Sequence, residues 1–214
     1  MIKEICVENF TSIPDAIKNG ANRISLKDNY LEQGTTVSNG VMKASIEYAH
    51  KYNIPVVACI RPRKGNFIYT PQEIEIMQTD IKLAKELGAD AIDFGCLNQN
   101  NSIDKEATLK ILESAEGLKT VFHMAFDSIP RSEHQETIDW LHKQGVTHIL
   151  SHGSPISEPI DIDYLKETIA MAKGKLTIVP GGGINYSNVE TIASELNVSE
   201  VHGSHIVKLD NYEF

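Results

Sequence analysis

Three observations predict an α/β fold, a (β/α)8 TIM barrel, for this chain of 214 residues. Short apolar runs alternate with longer amphipathic stretches, which is the pattern of parallel strands joined by right-handed helical crossovers. About eight such units can be counted, which is the strand number of a barrel and more than an open doubly wound sheet usually has. The glycine-rich turn at residues 180–183 follows the seventh strand, whereas a dinucleotide-binding sheet carries such a turn after the first.

The predicted strands are short, rich in Val, Ile and Phe, and closed by a polar residue or a glycine. In chain order they are Ile2–Val7, Arg23–Leu26, Pro55–Ile60, Ala91–Phe94, Lys119–Phe122, His148–Leu150, Leu176–Val179 and Glu200–His202.

Helical periodicity is clearest on either side of the fourth strand. Apolar residues recur there at helical spacing, at Ile74, Met77, Ile81, Ala84 and Leu87 and again at Leu109, Leu112 and Ala115. Asp104 and Ser132 are predicted to be helix N-caps. Gly88 and Gly145 stand where a glycine ends a helix.

The eighth unit is incomplete, because only nine residues follow Gly203-Ser204-His205. We therefore predict that the eighth helix is missing or is a single turn. Its absence would leave apolar surface on the first and eighth strands, which a second subunit would cover. We expect one domain over residues 1–214 that assembles as a homo-oligomer, most simply a dimer.

Composition excludes several classes of protein. Hydrophobic residues make up 41% and charged residues 23% of the chain, which is typical of a globular domain and not of a disordered one. The net charge of -9 argues against a nucleic-acid partner. No apolar run is long enough to cross a membrane, and from the first residues we expect no signal peptide. Three cysteines without paired spacing fit the reducing cytoplasm, where we expect the protein to be located.

Alternation along the strands sends charged side chains into the barrel, which is normally filled by Val, Ile and Leu. The predicted interior set is Glu4, Glu8, Arg23, Lys27, Arg61, Asp93, His123 and His202. Buried charges must pair or meet a ligand, because leaving them unpaired costs several kcal/mol. We predict that Glu4 and Arg23 form a structural ion pair near the amino-terminal end of the barrel.

Residues at the carboxyl ends of the strands are candidates for function, because barrel active sites lie on that face. They are Glu8, Arg61, Arg63, His123, Asp127 and His202. In one hypothesis Arg61 and Arg63 clamp a small anionic or phosphorylated substrate. His123 is then the general acid or base, oriented by Asp127 or Glu8.

Glycines after the last two strands predict a phosphate-binding loop. Gly181, Gly182 and Gly183 follow the seventh strand, and Gly203 and Ser204 follow the eighth. Backbone N–H groups in such loops can approach an anion closely, although a merely tight turn explains the same residues.

Cysteine and histidine are also candidate metal ligands. Cys6, Cys59 and Cys96 are soft donors suited to Cu(I), although a single cysteine is more often a small buried residue. His148 and His152, and His202 and His205, have spacings seen in metal sites, but surface or capping roles explain them as well.

Several segments resemble the CutC copper-homeostasis family. The string at residues 60–69, Ile-Arg-Pro-Arg-Lys-Gly-Asn-Phe-Ile-Tyr, is similar to the family signature, and the segments at 4–7, 34–36, 94–95, 122–127 and 180–183 match in order. The resemblance runs from about residue 3 to residue 205. It implies a (β/α)8 barrel, a cytoplasmic oligomer and a role in copper tolerance or Cu(I) binding, with no firmly assigned reaction. We predict no organic cofactor.

One departure from the family pattern bears on the copper site. The family carries a second cysteine after its second strand, where this chain has Lys27. An ammonium group has no lone pair for copper, so only Cys6 remains of the ligand pair that the resemblance implies. Two functions therefore stay open, a copper-homeostasis protein of the CutC type and a barrel enzyme for a small anionic substrate.

Overall fold

The computed structural model describes residues 1–209, which form a nearly closed barrel of eight parallel strands. The strands are β1 (Ile2–Glu8), β2 (Arg23–Lys27), β3 (Val56–Cys59), β4 (Ala91–Phe94), β5 (Lys119–Phe122), β6 (His148–Ser151), β7 (Thr177–Pro180) and β8 (Glu200–Gly203). Each end lies within one residue of the predicted end. The predicted fold class is therefore confirmed.

Seven helices surround the strands in the described residues. They are α1 (Ile13–Lys18), α2 (Asn39–His50), α3 (Pro71–Glu86), α4 (Lys105–Ser114), α5 (His134–Lys143), α6 (Ile162–Ala172) and α7 (Val189–Leu196). None of them combines the length and the apolarity that crossing a bilayer requires. Buried Ile, Val and Phe side chains between strands and helices form the core, as is usual for a barrel.

Local signals explain where several helices begin and end. Asp104 caps α4 as predicted, because its carboxylate accepts the N–H of Ala107 at 2.9 Å. Gly88 and Gly145 follow α3 and α5 with φ of 90° and 83°, a conformation that glycine adopts without strain.

Ser132 does not cap α5, so that prediction is wrong. A 3₁₀ turn at Arg131–Glu133 precedes the helix, which places Glu133 at the N-cap position without a side-chain hydrogen bond. The serine lies one residue too early because this extra turn takes up the residues after Pro130.

The buried face of α4 also differs from the expected one. Leu109 is 46% exposed, whereas Thr108, Ile111 and Ala115 are buried. The helix therefore turns its Thr108–Ile111–Ala115 stripe toward the strands, and the apolar spacing that includes Leu109 marks a flank of the helix.

The barrel closes at a seam between β7 and β8, the two strands at the ends of the hydrogen-bonded order. Hydrogen-bonded neighbours run β7-β6-β5-β4-β3-β2-β1-β8, so β7 and β8 lack a ladder of their own. The chain segments that continue these two strands meet instead, because Tyr186 donates its N–H to the carbonyl of His205 at 2.7 Å. No helix follows β8 within residues 204–209, as predicted, and residues 210–214 lie outside the described part. Dimer formation over this region stays a prediction.

Gly203 permits the close approach of chain segments at this seam. A Cβ atom at this position would lie 2.2 Å from the carbonyl oxygen of Ile184. A backbone atom cannot move aside as a flexible side chain can, so only glycine fits there.

We predict that Gly203→Ala lowers the free energy of unfolding by about 1–3 kcal/mol, because the added methyl group forces the seam apart. Urea unfolding followed by circular dichroism measures the effect. The matched control is Gly40→Ala in α2, where a Cβ atom meets nothing within 4 Å. Equal stability of both variants would contradict the close-approach explanation.

Candidate functional site

A cavity of about 290 Å³ opens at the carboxyl-terminal mouth of the barrel. Eight of the residues predicted to be functional line it, namely Cys6, Arg61, His123, Gly182, Gly183, His202, Gly203 and Ser204. The other lining residues are Lys27, Tyr30, Gln33, Cys59, Phe67, Met124, Leu150 and Ile156. Alternation had placed Lys27 in the barrel interior, whereas the apolar residues of the cavity wall have no sequence pattern that distinguishes them from the core.

Glu4 joins three strands at the base of this cavity. It lies opposite Arg23 in the β1–β2 register and opposite His202 in the β1–β8 register. One carboxylate oxygen accepts the Nδ1–H of His202 at 2.6 Å, and the other pairs with the guanidinium of Arg23. Arg23 also binds Glu200 at 2.6 Å. The predicted Glu4–Arg23 ion pair is thus confirmed, and it extends to His202.

This network fixes the charges of both Glu4 and His202. Burial alone would raise the pKa of Glu4, but the hydrogen bond and charge of His202 and the charge of Arg23 outweigh it and lower the pKa to about 2. Burial alone would lower the pKa of His202, but hydrogen bonds to Cys6 and Glu4 outweigh it and raise the pKa to about 9. At neutral pH the pair is therefore a carboxylate and an imidazolium.

Lys27 forms a second buried ion pair, with Asp93 on β4. Its ammonium lies 3.1 Å from Oδ2 of Asp93, and Ser25 donates its hydroxyl to the same oxygen at 3.4 Å. Burial would lower the pKa of Lys27, but the charge of Asp93 and the nearby thiols Cys59 and Cys6 raise it above its ordinary value. Lys27 therefore stays protonated inside the barrel.

His123 presents a hydrogen-bond donor without an acceptor. Its Nδ1 accepts the N–H of Ala125 at 3.1 Å, so the proton of the neutral ring lies on Nε2. Nε2 is buried and has no partner among the described residues. Burial and the positive charges of Lys27 and Arg61 lower the pKa of His123 to about 3. Gly95 makes room for this ring, because a Cβ atom there would lie 2.6 Å from it.

Arg61 presents a second donor of this kind. Its Nη1 donates to the carbonyls of Glu32 and Gly34 at 2.7 and 2.6 Å, and its Nη2 donates to that of Gly65 at 2.7 Å. Its Nε is buried and has no partner within residues 1–209. The guanidinium stacks on Phe67 at 5.1 Å. Arg61 thus orders two loops with its outer nitrogens and keeps one N–H unused.

Four of the predicted site residues, Glu8, Arg63, Asp127 and Gly181, do not line the cavity. The side chains of the three charged residues are used in contacts with neighbouring loops. Arg63 binds Glu73 and the carbonyl of Ile68 and stacks on Tyr69, which orders the segment before α3. It is therefore not placed to clamp an anion beside Arg61.

Asp127 and Glu8 do not orient His123 as expected. Asp127 accepts the hydroxyl of Ser151 at 2.6 Å and the N–H of His152 at 2.8 Å, and burial raises its pKa to about 6. Glu8 accepts the N–H of Tyr30 at 3.2 Å. The expectation fails because each carboxylate satisfies backbone groups of its own neighbouring loop, whereas His123 is oriented by the backbone of Ala125.

The glycine loop borders the cavity through two of its three glycines. Gly182 and Gly183 have φ of 82° and 71°, and a Cβ atom at Gly182 would lie 2.5 Å from the ring of His152. Gly181 lies just outside and accepts a hydrogen bond from that ring at 2.9 Å. His152 therefore holds the loop in place, which is a structural role.

The remaining candidate metal ligands do not converge. Within residues 1–209 no group of three or more His, Cys, Asp or Glu side chains could hold a metal ion. His148 pairs with Glu200 at 3.4 Å, and all three cysteines are buried and unpaired.

Comparison with known proteins gives a consistent result over nearly the whole chain. A model of the CutC family matches residues 1–207. The chain is 50% identical to a family protein CutC of Enterococcus faecalis, over 97% of this chain and 100% of that protein. It is 36% identical to the copper homeostasis protein cutC homolog of Mus musculus, over 95% of this chain and 73% of that protein.

Solved structures agree with this match. A CutC protein from Streptococcus agalactiae has a TM-score of 0.92 and 41% identity, and the alignment covers 97% of this chain and 100% of that one. The aldolase QR15 has a TM-score of 0.70 at 12% identity over 96% of this chain and 91% of that one, so it shares the fold alone.

We predict that the protein loses stability as the pH rises from 6.5 to about 9, because the pKa of His202 is about 9 in the folded chain and 6.5 as its ordinary value. Folding takes up a proton in this interval, so the contribution is complete below pH 6.5 and disappears above about 9. It amounts to at most about 3 kcal/mol. Denaturant unfolding at a series of pH values measures it.

The matched controls for this pH dependence are two histidine variants. His202→Gln should flatten the alkaline decrease, whereas His142→Gln on the exposed surface of α5 should leave it unchanged. An identical decrease in all three proteins would show that another group causes it.

Proposed function

The chain belongs to the CutC family, and on that premise we propose that it serves copper homeostasis by binding a small anionic molecule in the mouth of the barrel. The observation that carries this proposal is the pair of buried donors without a partner among residues 1–209, Nε of Arg61 and Nε2 of His123, which belong to two residues that line one cavity. Their satisfaction requires an acceptor that the described residues do not supply.

The two unpaired donors of Arg61 and His123 cost free energy. A buried N–H group without an acceptor costs about 1–3 kcal/mol. An oxygen atom of a bound carboxylate or phosphate would remove this cost for both donors, and Arg61 would add a charge-assisted hydrogen bond. Binding of an oxyanion would therefore be favoured by the hydrogen bonds that these two donors form with it.

The charge on the cavity wall supports the same class of ligand. Lys27, Arg61 and His202 are cationic and line the cavity, whereas none of its lining residues is a carboxylate. The partners Asp93 and Glu4 are buried and do not belong to the lining, so the cationic groups lie nearer to the cavity. Such an arrangement attracts negative charge.

Phosphorylated ligands are included in the proposal because of the glycine loop. Backbone of Gly182, Gly183 and Gly203 borders the cavity after β7 and β8, which is where many barrels bind a phosphate group. The ligand class is therefore a small carboxylate or phosphate compound.

The residues present do not fit a copper ion held between two cysteines. Lys27 takes the place of one ligand, and its ammonium interacts electrostatically with Cys6 and Cys59. A second cation in this position would be repelled by the first. Cu(I) binding at Cys6, as the resemblance implies, therefore has no support from the donor set.

The geometry gives His123 a narrower role than that of a general acid or base. Its ring is neutral, with Nδ1 engaged by Ala125 and a proton on Nε2. We assign it the role of a hydrogen-bond donor to the ligand. A general base needs a pKa nearer the working pH.

Location and assembly complete the proposal. Three unpaired cysteines support a cytoplasmic location. A homodimer is proposed to cover the surface beside β8, where residues 204–209 form no helix.

Inorganic phosphate is predicted to raise the melting temperature at constant ionic strength, because it accepts from Arg61 and His123. His123→Gln should weaken phosphate binding by about fivefold or more, as expected for the loss of a hydrogen bond to a charged group. Thermal shift titration against matched sodium chloride measures both effects, and the surface variant His142→Gln is the control. The proposal fails if neither phosphate nor pyruvate shifts the melting temperature of the wild type.

Lys27→Cys is predicted to create tight Cu(I) binding that the wild type lacks, because it removes the ammonium and supplies a thiolate. Anaerobic competition against a chromogenic Cu(I) chelator measures the affinity. Lys27→Leu is the matched control, since it also leaves Asp93 unpaired but adds no ligand. Tight stoichiometric binding by the wild type that Cys6→Ser abolishes would contradict the argument.

A further inference from the structure

We propose that Cys6 is a nucleophile, that the imidazolium of His202 is the acid that protonates the adduct, and that Glu4 positions His202, within the same cavity. The substrate class is a small carbonyl compound, an aldehyde or ketone, that also carries a carboxylate or phosphate group. This inference rests on the proposed function, because the anion pocket would bind the carboxylate or phosphate group. It adds a reaction of Cys6 with the carbonyl group.

The register of the strands brings the three residues together. Glu4 and His202 are direct partners across β1 and β8. Cys6 lies two residues after Glu4 on β1, so both side chains point to the same face of the strand. The arrangement depends on the backbone of the barrel rather than on loops.

Hydrogen bonds then fix the ring of His202. Nδ1 donates to Oε1 of Glu4 at 2.6 Å, and Oε2 of Glu4 is occupied by Arg23. The His202 side chain also interacts with the Cys6 thiol, which is one cause of its raised pKa. A thiol, an imidazole and a carboxylate in this order form the arrangement that activates a cysteine nucleophile.

The two other cysteines lack this environment. Cys59 lies on the same cavity wall, but its thiol hydrogen-bonds the carboxylate of Asp93, and burial beside that carboxylate raises its pKa. Cys96 is buried away from the cavity. Cys59 is therefore an internal control for Cys6, because its thiol lies beside a carboxylate whereas that of Cys6 lies beside an imidazolium.

An independent observation indicates that a ligand reaches this thiol. Cys6 and His202 line the same cavity as His123 and Arg61, whose Nε2–H and Nε–H groups are buried and have no partner among residues 1–209. These donors would bind the anionic group of the substrate and present its carbonyl carbon to the sulfur.

The chemical step needs no co-reactant. The sulfur of Cys6 forms a bond to the carbonyl carbon while the carbon–oxygen π bond breaks, and its electron pair moves to the oxygen. The imidazolium of His202 gives a proton to that oxygen and regains one from the Cys6 thiol, which leaves a hemithioacetal or hemithioketal and a neutral hydroxyl group. All atoms and electrons of thiol and carbonyl compound are retained in the adduct.

The test compares alkylation of the full-length protein by neutral iodoacetamide and by anionic iodoacetate, with peptide mass spectrometry to locate the adduct. We expect iodoacetamide to modify Cys6 at least about tenfold faster than Cys59, because a cationic imidazolium lies beside Cys6 whereas the carboxylate of Asp93 lies beside Cys59. We expect the ratio of iodoacetate rate to iodoacetamide rate at Cys6 to exceed the ratio for glutathione, because the pocket attracts the carboxylate.

Variants separate the roles of the three residues. His202→Gln and Glu4→Gln should each lower the iodoacetamide rate at Cys6 by about tenfold, whereas Cys96→Ser should not change it. Since the first two changes also affect packing, each variant is compared with its own rate in urea, where positioning no longer matters. A rate that falls equally in urea and in buffer would overturn the positioning role of Glu4.

The carbonyl substrate class is tested with ¹³C-labelled glyoxylate. A new ¹³C resonance of a hemithioacetal in the wild type, absent in Cys6→Ser, is the expected result. Absence of the resonance in both proteins would overturn the substrate class.

Failure of this inference and failure of the anion pocket give different results. Slow iodoacetamide reaction at Cys6, equal to that at Cys59, overturns the nucleophile even when the iodoacetate ratio is high. A ratio equal to that of glutathione overturns the anion pocket even when Cys6 reacts fast with the neutral reagent.

Discussion

The site depends on the interactions of the Glu4 carboxylate with Arg23 and His202. Glu4 is a direct cross-strand partner of both Arg23 and His202, so one side chain ties β1 to its two neighbours. A barrel interior is normally apolar, and an ion pair there is stable only when every charge has a partner. Arg23 meets this requirement through Glu200, which also contacts His148, so the network reaches β6. The position of His202, and with it the base of the cavity, follows from this closed set of charges.

Strand alternation accounts for most of what the sequence could predict. Once the strands were assigned within one residue, period-two alternation placed Glu4, Lys27, Asp93 and His202 in the interior, where they are buried. The same alternation identified Glu4 and Arg23 as partners. These assignments succeed because the backbone of a strand fixes the direction of each side chain.

Residues just beyond the strands escaped prediction for the opposite reason. Arg63 and Asp127 follow β3 and β5, where the chain has left the sheet. The hydrogen bonds of these side chains depend on the conformation of the neighbouring loops, which alternation does not predict. The unpaired donors of Arg61 and His123 could not be predicted from the sequence. They depend on which side-chain nitrogen atoms form hydrogen bonds with the neighbouring backbone groups. Apolar wall residues such as Leu150 have the same sequence pattern as the core.

The Lys27–Asp93 pair has a consequence for how the protein responds to its surroundings. A pocket whose positive charge comes from a bound metal changes its charge whenever the metal is lost or exchanged. Here the cation is the ammonium of Lys27, which is part of the polypeptide, so this positive charge on the cavity wall does not depend on a bound ion.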